Sequence, residues 1–161
     1  MNLQSDIRPV PTRENGYLNG HAQLLVDSFR RWTGRTLIDC APAELGRELF
    51  YAPFVIASHD TQSAPVFNYA NLAALQLWET NWEMFTSKRS SDSAEADAQV
   101  EREQFMARVA AQGCVSGYSG VRISMQGRRF RIDNATVWNV LDAAGGYHGQ
   151  AVWFDAWQYI E

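Results

Sequence analysis

From Gly113 to the C-terminus this chain offers no helix signal. "GYSGVRISMQG", "RRFRIDNATVWNVLD" and "YHGQAVWFDAWQYI" read as three long strands, joined by turns at Gln126-Gly127 and from Ala143 to Gly146. The first alternates, with Val121, Ile123 and Met125 on one side and Arg122 and Ser124 on the other. The last two carry apolar residues on both faces, a pattern foreign to a sheet with one wet face. Both faces therefore need a cover, one from the central helices and the other, in part, from an N-terminal cap. That requirement narrows the fold to an α+β domain with a sheet between helices.

The covers can be found along the chain. Leu18, Ala22, Leu25, Phe29 and Trp32 recur at helical steps, so a helix is expected from Tyr17 to about Trp32, with Gly34 ending it. Pro42 opens a second short helix through Leu45 to Leu49. Strand character begins at "PFVIASHD" and returns at "APVFNYA". A helix from Asn71 to Glu79 follows, with Leu72, Leu75 and Trp78 on one face. Thr80, three residues before Glu83, has the spacing of a capping box, and "TSKRSSDSAEAD" reads as loop. The last helix runs from about Ala98 to Gln112, with Phe105, Met106 and Val109 apolar and Glu101, Arg102, Glu103 and Arg108 as its solvated face. The expected division is a flexible arm over residues 1–16, where Pro9 and Pro11 oppose helix, a helical cap over 17–51 and a main domain over 52–161.

Composition excludes several classes. A net charge of -4 lacks the basic excess of an electrostatic nucleic-acid binder, so no nucleic-acid partner is expected. No apolar run approaches the roughly 18–20 residues that span a bilayer, and "MNLQSDIRPVPTREN" has no apolar signal core. A cytoplasmic protein without membrane association is the expectation. Cys40 and Cys114 are isolated, without metal-type spacing, and are read as reduced thiols.

The segments "SHDTQSAPVFNYANLAALQLWE", "YSGVRISMQGRRFRI", "ATVWNV" and "YHGQAVWFDAW" resemble the MEKHLA domain family, a PAS-like group found as small bacterial proteins and at the C-terminus of plant class III homeodomain–leucine zipper transcription factors. The resemblance extends from about Tyr17 to the C-terminus. It implies a five-stranded antiparallel PAS-like sheet with short helices on one face, and a sensory or regulatory module. It transfers no reaction and no ligand, and the plant proteins' DNA-binding and zipper parts have no counterpart here.

Polar groups gather where strand becomes helix in "FNYAN". Asn71 suits a helix N-cap. Asn68 alternates away from Phe67 and Tyr69, and whichever of Asn68 or Tyr69 is buried needs a partner from backbone, water or ligand. His59 and His148 stand at strand ends that a PAS-like sheet can bring into one site, although two histidines without a third ligand make a weak metal case. Arg129 and Arg131 share a face opposite Phe130 and Ile132, and Arg122 lies across from them or not according to register. Trp138, Trp153, Phe154, Trp157 and Tyr159 are read as core first and as pocket lining second, with Trp153 and Trp157 on one face. Cys114 lacks the surroundings of a flavin-binding photosensor.

The functional expectation is a non-enzymatic PAS-like module that binds a small molecule of unknown identity through His59, Asn68, Tyr69, Asn71, Trp78, Arg131, Trp138 and His148. No cofactor is named. Without an attached output domain its signal is expected to pass through a homodimer or a partner. Two other readings stay open: an enzyme on an NTF2-like scaffold, and a dimerisation module with a self-filled pocket.

Overall fold

The computed structural model describes residues 9–160. One antiparallel sheet contains β1 (Val55–His59), β2 (Phe67–Ala70), β3 (Cys114–Ile123), β4 (Arg129–Leu141), β5 (Tyr147–Phe154) and β6 (Ala156–Ile160). The spatial order is β2-β1-β5-β4-β3, with β6 also paired to β4. β5 pairs with Thr136–Leu141 of β4, and β6 continues along the same flank opposite Arg129–Asp133. The expected fifth strand is thus present in two pieces, broken at Asp155. The break resets the alternation. Trp157 meets Phe154 at 5.9 Å and Trp153 meets Phe29 at 6.0 Å, so Trp153 and Trp157 do not share a face as strict alternation predicts.

The back of the sheet is covered by α1 (Asn19–Thr33), and α2 (Leu45–Phe50) packs against α1. Ala22, Leu25, Val26 and Phe29 of α1 are buried at steps of three, one and three, a helical stripe laid on β4, with Phe29 also reaching Trp153 of β5. Phe29 meets Trp138 edge-on at 5.0 Å, and the Trp138 indole donates to Ser28 Oγ at 3.0 Å. The helix begins two residues later than its apolar pattern suggests. Tyr17 and Leu18 hold left-handed φ values of 55° and 54°, and the Tyr17 ring rests against Phe50 and Tyr51 instead of continuing a helical turn. Gly34 ends α1 in the left-handed conformation, its N–H donating to the Arg30 carbonyl.

The front is covered by α3 (Leu72–Leu77), α4 (Trp82–Phe85) and α5 (Gln99–Gln112). Asn81, not Thr80, caps α4 by accepting from Met84 N–H at 2.8 Å. The serine-rich segment is not a surface loop throughout. Ser90–Ser93 and Ala96–Ala98 form two 3-10 turns, and Ser90, Ser93 and Ala94 are buried. Its leading end is fastened to the outer edge of β2, since Phe67 N–H donates to the Lys88 carbonyl and Ser90 N–H to that of Pro65. Of the expected arm, residues 1–8 lie outside the described residues. The remainder forms a turn in which Thr12 N–H donates to Asn15 Oδ1 and Tyr17 N–H to the Thr12 carbonyl.

Candidate functional site

Two features of β1 and β2 determine which side chains reach the front. The β1–β2 register slips between Ser58 and His59, pairing Ser58 with Tyr69 and His59 with Phe67. Asn68 is the extra residue of this bulge, which cancels the expected alternation. Asn68 and Tyr69 both turn toward α1. Ser58 Oγ donates to Asn68 Oδ1 and meets His21 Nε2, while the Tyr69 ring packs 5.4 Å from the His21 ring. Phe67 stays in front, stacked on Phe85 at 4.1 Å. On the adjoining strand, Gly149 passes so close to the His59 carbonyl that any Cβ there would collide with it, and its φ of 114° suits only glycine.

In front of β1, β4 and β5, between them, α5 and the Ser90–Ser93 turn, lies a cavity of about 70 Å³. Its polar lining includes His59, Ser90, Arg102, Arg122 and Gln150. At roughly 10–15 Å³ per water it has room for about five waters, far below the space of a flavin or haem. Phe105, Ile132 and Val137 are among its apolar walls.

Arg122 enters because β3 pairs it with Phe130, so it takes the inner face while Arg129 and Arg131 point away. The polar side of β3, Arg122 and Ser124, is the more deeply buried one. Arg102 enters because it stands three residues before Phe105 and seven before Val109, on the buried stripe of α5 rather than on the solvated face. Both arginines are only 9% exposed. Arg102 Nη2 donates to Ser90 Oγ at 2.5 Å. Arg122 donates to the Val121 carbonyl and to the Tyr118 hydroxyl, each at 2.8 Å. Among the described residues neither guanidinium makes an ion pair. Burial, followed by the Arg122 charge, lowers the Arg102 pKa, and the nearby Glu103 and Asp92 only partly oppose this.

His59 donates from Nδ1 to the Asp60 carbonyl at 3.0 Å, which leaves the lone pair of a neutral ring on Nε2. Its pKa is lowered chiefly by burial, against the Asp60 carbonyl, and the Arg102 charge adds to the lowering. The Gln150 amide lies near enough to favour the charged ring, yet Nε2 has no hydrogen-bond partner of sound geometry. The Trp78 indole N–H is likewise buried and unpartnered.

Of the eight expected binding residues, His59 and Trp78 line this cavity. The other six lie elsewhere. Asn68 and Tyr69 sit toward α1, and the Tyr69 hydroxyl is buried without a partner. Asn71 is saturated by protein: its Oδ1 accepts from Ala74 and Ile56 N–H, and its Nδ2 donates to the Leu49 and Phe54 carbonyls. Trp138 faces Ser28 on the back. Arg131 is exposed and paired with Asp133 at 3.1 Å, and His148 is exposed beside Asp142 at 2.9 Å, so the two histidines do not share a site. Cys114 opens β3 away from the cavity lining. Among the described residues no group of three His, Cys, Asp or Glu could hold a metal ion, and no helix is long and apolar enough to cross a membrane.

Strand order, a front wall of short helices and a cavity between them define a PAS-like domain. The order has two strands ahead of the central helices, unlike an NTF2-like cone. A solved structure, the PAS domain of a protein from Colwellia psychrerythraea, matches 71% of this chain and 92% of its own length with a TM-score of 0.56 at 14% identity. The MEKHLA domain model matches residues 19–159, and the chain belongs to that family. It is 29% identical over 104 residues to homeobox-leucine zipper protein ATHB-9 of Arabidopsis thaliana, and 27% identical over 146 residues to homeobox-leucine zipper protein HOX29 of Oryza sativa subsp. indica. These alignments cover 62% and 84% of this chain but only 12% and 16% of the plant proteins.

Proposed function

We propose that this protein is a sensory module whose front cavity takes up a small molecule and whose helical cap relays the occupancy to a second copy or a partner. The supporting observation is the placement of consecutive β4 residues: Val137 lines the cavity, while Trp138 holds Ser28 of α1 on the opposite face. A ligand pressing on Val137 shifts the strand that carries the cap. The cap is joined to the sheet through one apolar stripe and side-chain hydrogen bonds, so it follows a shift of β4. The response is a change in population between two cap positions, in proportion to the ligand's preference for one of them.

Native mass spectrometry of freshly purified protein tests this by reporting bound small molecules and the number of associated chains together. Hydrogen exchange of α1, with and without the molecule found or added, tests the relay. A ligand-dependent change in α1 exchange or in association supports the reading. An α1 whose exchange and association are indifferent to every cavity ligand would overturn it.

A further inference from the structure

We propose that the front cavity is a receptor for a small carboxylate, whose charged end is held between Arg102 and Arg122 and whose short body rests on Phe105, Ile132 and Val137. This deepens the sensory reading by naming the ligand class of the same cavity. Three observations carry it.

The first is charge. Two arginine residues are nine-tenths buried, their charges close enough to act on one another, and without a carboxylate from the described residues to pair with. Each guanidinium has five N–H donors, so the pair offers ten, and the three hydrogen bonds to Ser90, Val121 and Tyr118 use three of them. Buried like charges repel, and each has given up much of its bulk hydration, so an anion between them answers both costs. The planar fork of arginine matches a carboxylate in bidentate geometry.

The second is the set of unpartnered groups. Trp78 is one of the lining residues, and its indole N–H is buried and lacks an acceptor. An unsatisfied buried donor on a lining residue, in a cavity that also holds two unpaired cations, points to an acceptor that the protein itself does not supply. His59 Nε2 is the complementary case, a lone pair with room for one donor, such as a hydroxyl on the ligand or a water entering with it.

The third is size and texture. A cavity of about 70 Å³ holds about five waters, which suits acids from acetate to lactate and butyrate. Its other walls, Phe105, Ile132 and Val137 among them, are aromatic and aliphatic. A fully polar anion such as phosphate would leave several oxygens against them without donors, whereas a carboxylate presents charge at one end only.

The test titrates the full chain with acetate, propionate, butyrate and lactate. Inorganic phosphate and the neutral butyramide serve as the other arms, and melting temperature and tryptophan fluorescence are the readouts. Carboxylates are expected to raise the melting temperature saturably at about 10 mM or below, with phosphate and butyramide inert. Arg102→Gln and Arg122→Gln are expected to weaken butyrate binding at least tenfold; Arg131→Gln, on the exposed face, should not change it. Near-ultraviolet circular dichroism establishes that each variant is folded. If a variant does not fold, the ligand series on the wild-type chain decides alone. A response to phosphate in place of carboxylates, an equal response to butyramide, or no response to any acid would overturn the assignment. The sensory reading has its own outcome: a neutral molecule that co-purifies and moves α1 preserves sensing and removes the carboxylate, whereas butyrate binding that leaves α1 and association unchanged does the reverse.

Discussion

At the scale of single residues, the same amide and hydroxyl chemistry that draws attention in "FNYAN" turns out to have opposite energetic signs. Asn71 makes four hydrogen bonds with protein and is fully buried. Asn71→Ala strands two backbone donors and two carbonyls, and we expect it to lower unfolding free energy by about 3 kcal/mol or more, measured by urea denaturation. Tyr69 is as deeply buried, but its hydroxyl has no partner and burial pushes its pKa well above the ordinary phenol value. Tyr69→Phe removes that unpaired group. It should leave stability unchanged or raise the melting temperature by about 2–4 °C, and a loss of several degrees would show that the hydroxyl has a partner after all. His59 carries a pH dependence. Its folded pKa lies below the ordinary 6.5, so beneath that point the unfolded chain binds more protons and stability falls with falling pH. Urea midpoints at pH 7.5 and 5.5 should therefore differ less in His59→Gln than in wild type, the comparison cancelling the exposed His148–Asp142 pair.

At the scale of elements, periodicity located the helices and strands well and their inward faces less well. The stripe from Ala22 to Phe29, the Asn71 cap and both C-terminal turns are legible because they follow from local sterics and from one apolar face. Arg102 was hidden by its chemistry: an arginine between two glutamates reads as solvated, yet its spacing to Phe105 and Val109 is the spacing of the buried stripe. Arg122 depended on hairpin register, which no local pattern supplied. The β1–β2 bulge moved Asn68 by one face, and a single extra residue leaves no signature in composition. The serine-rich run departs from a surface loop because polar residues can be buried when they latch something, as Ser90 does with Arg102. Ser90→Ala removes that latch without removing a charge, and faster hydrogen exchange over residues 88–99 is the expected readout. Gly113 marks another juncture between elements. It has a φ of 86°, and an added Cβ would strike the Trp32 ring, so Gly113→Ala should destabilise by about 2 kcal/mol and blue- or red-shift the Trp32 emission.

At the scale of the whole molecule, the demand for covers on both faces was the correct constraint, and it follows from the apolar residues on each side of β4 and β5. What chain order alone did not convey is how unequal the two covers are. The back is closed by Phe29, Trp138 and Trp153, whereas the front encloses charge. A chain lacking residues 1–34 would uncover the back of β4 and β5, and it should aggregate or bind a hydrophobic dye strongly while retaining strand signal in far-ultraviolet circular dichroism. The sheet's two flanks differ as well. β2 is shielded by the chain around Lys88, but β3 lies outermost on the other side, with no strand among the described residues paired beyond it. Its ladder with β4 slips twice, between Val115 and Tyr118 and again between Tyr118 and Gly120, and Gly117 turns through a φ of 75°. A stranger strand arriving there would find amides out of phase with its own, so two molecules cannot easily zip flank to flank into a fibre.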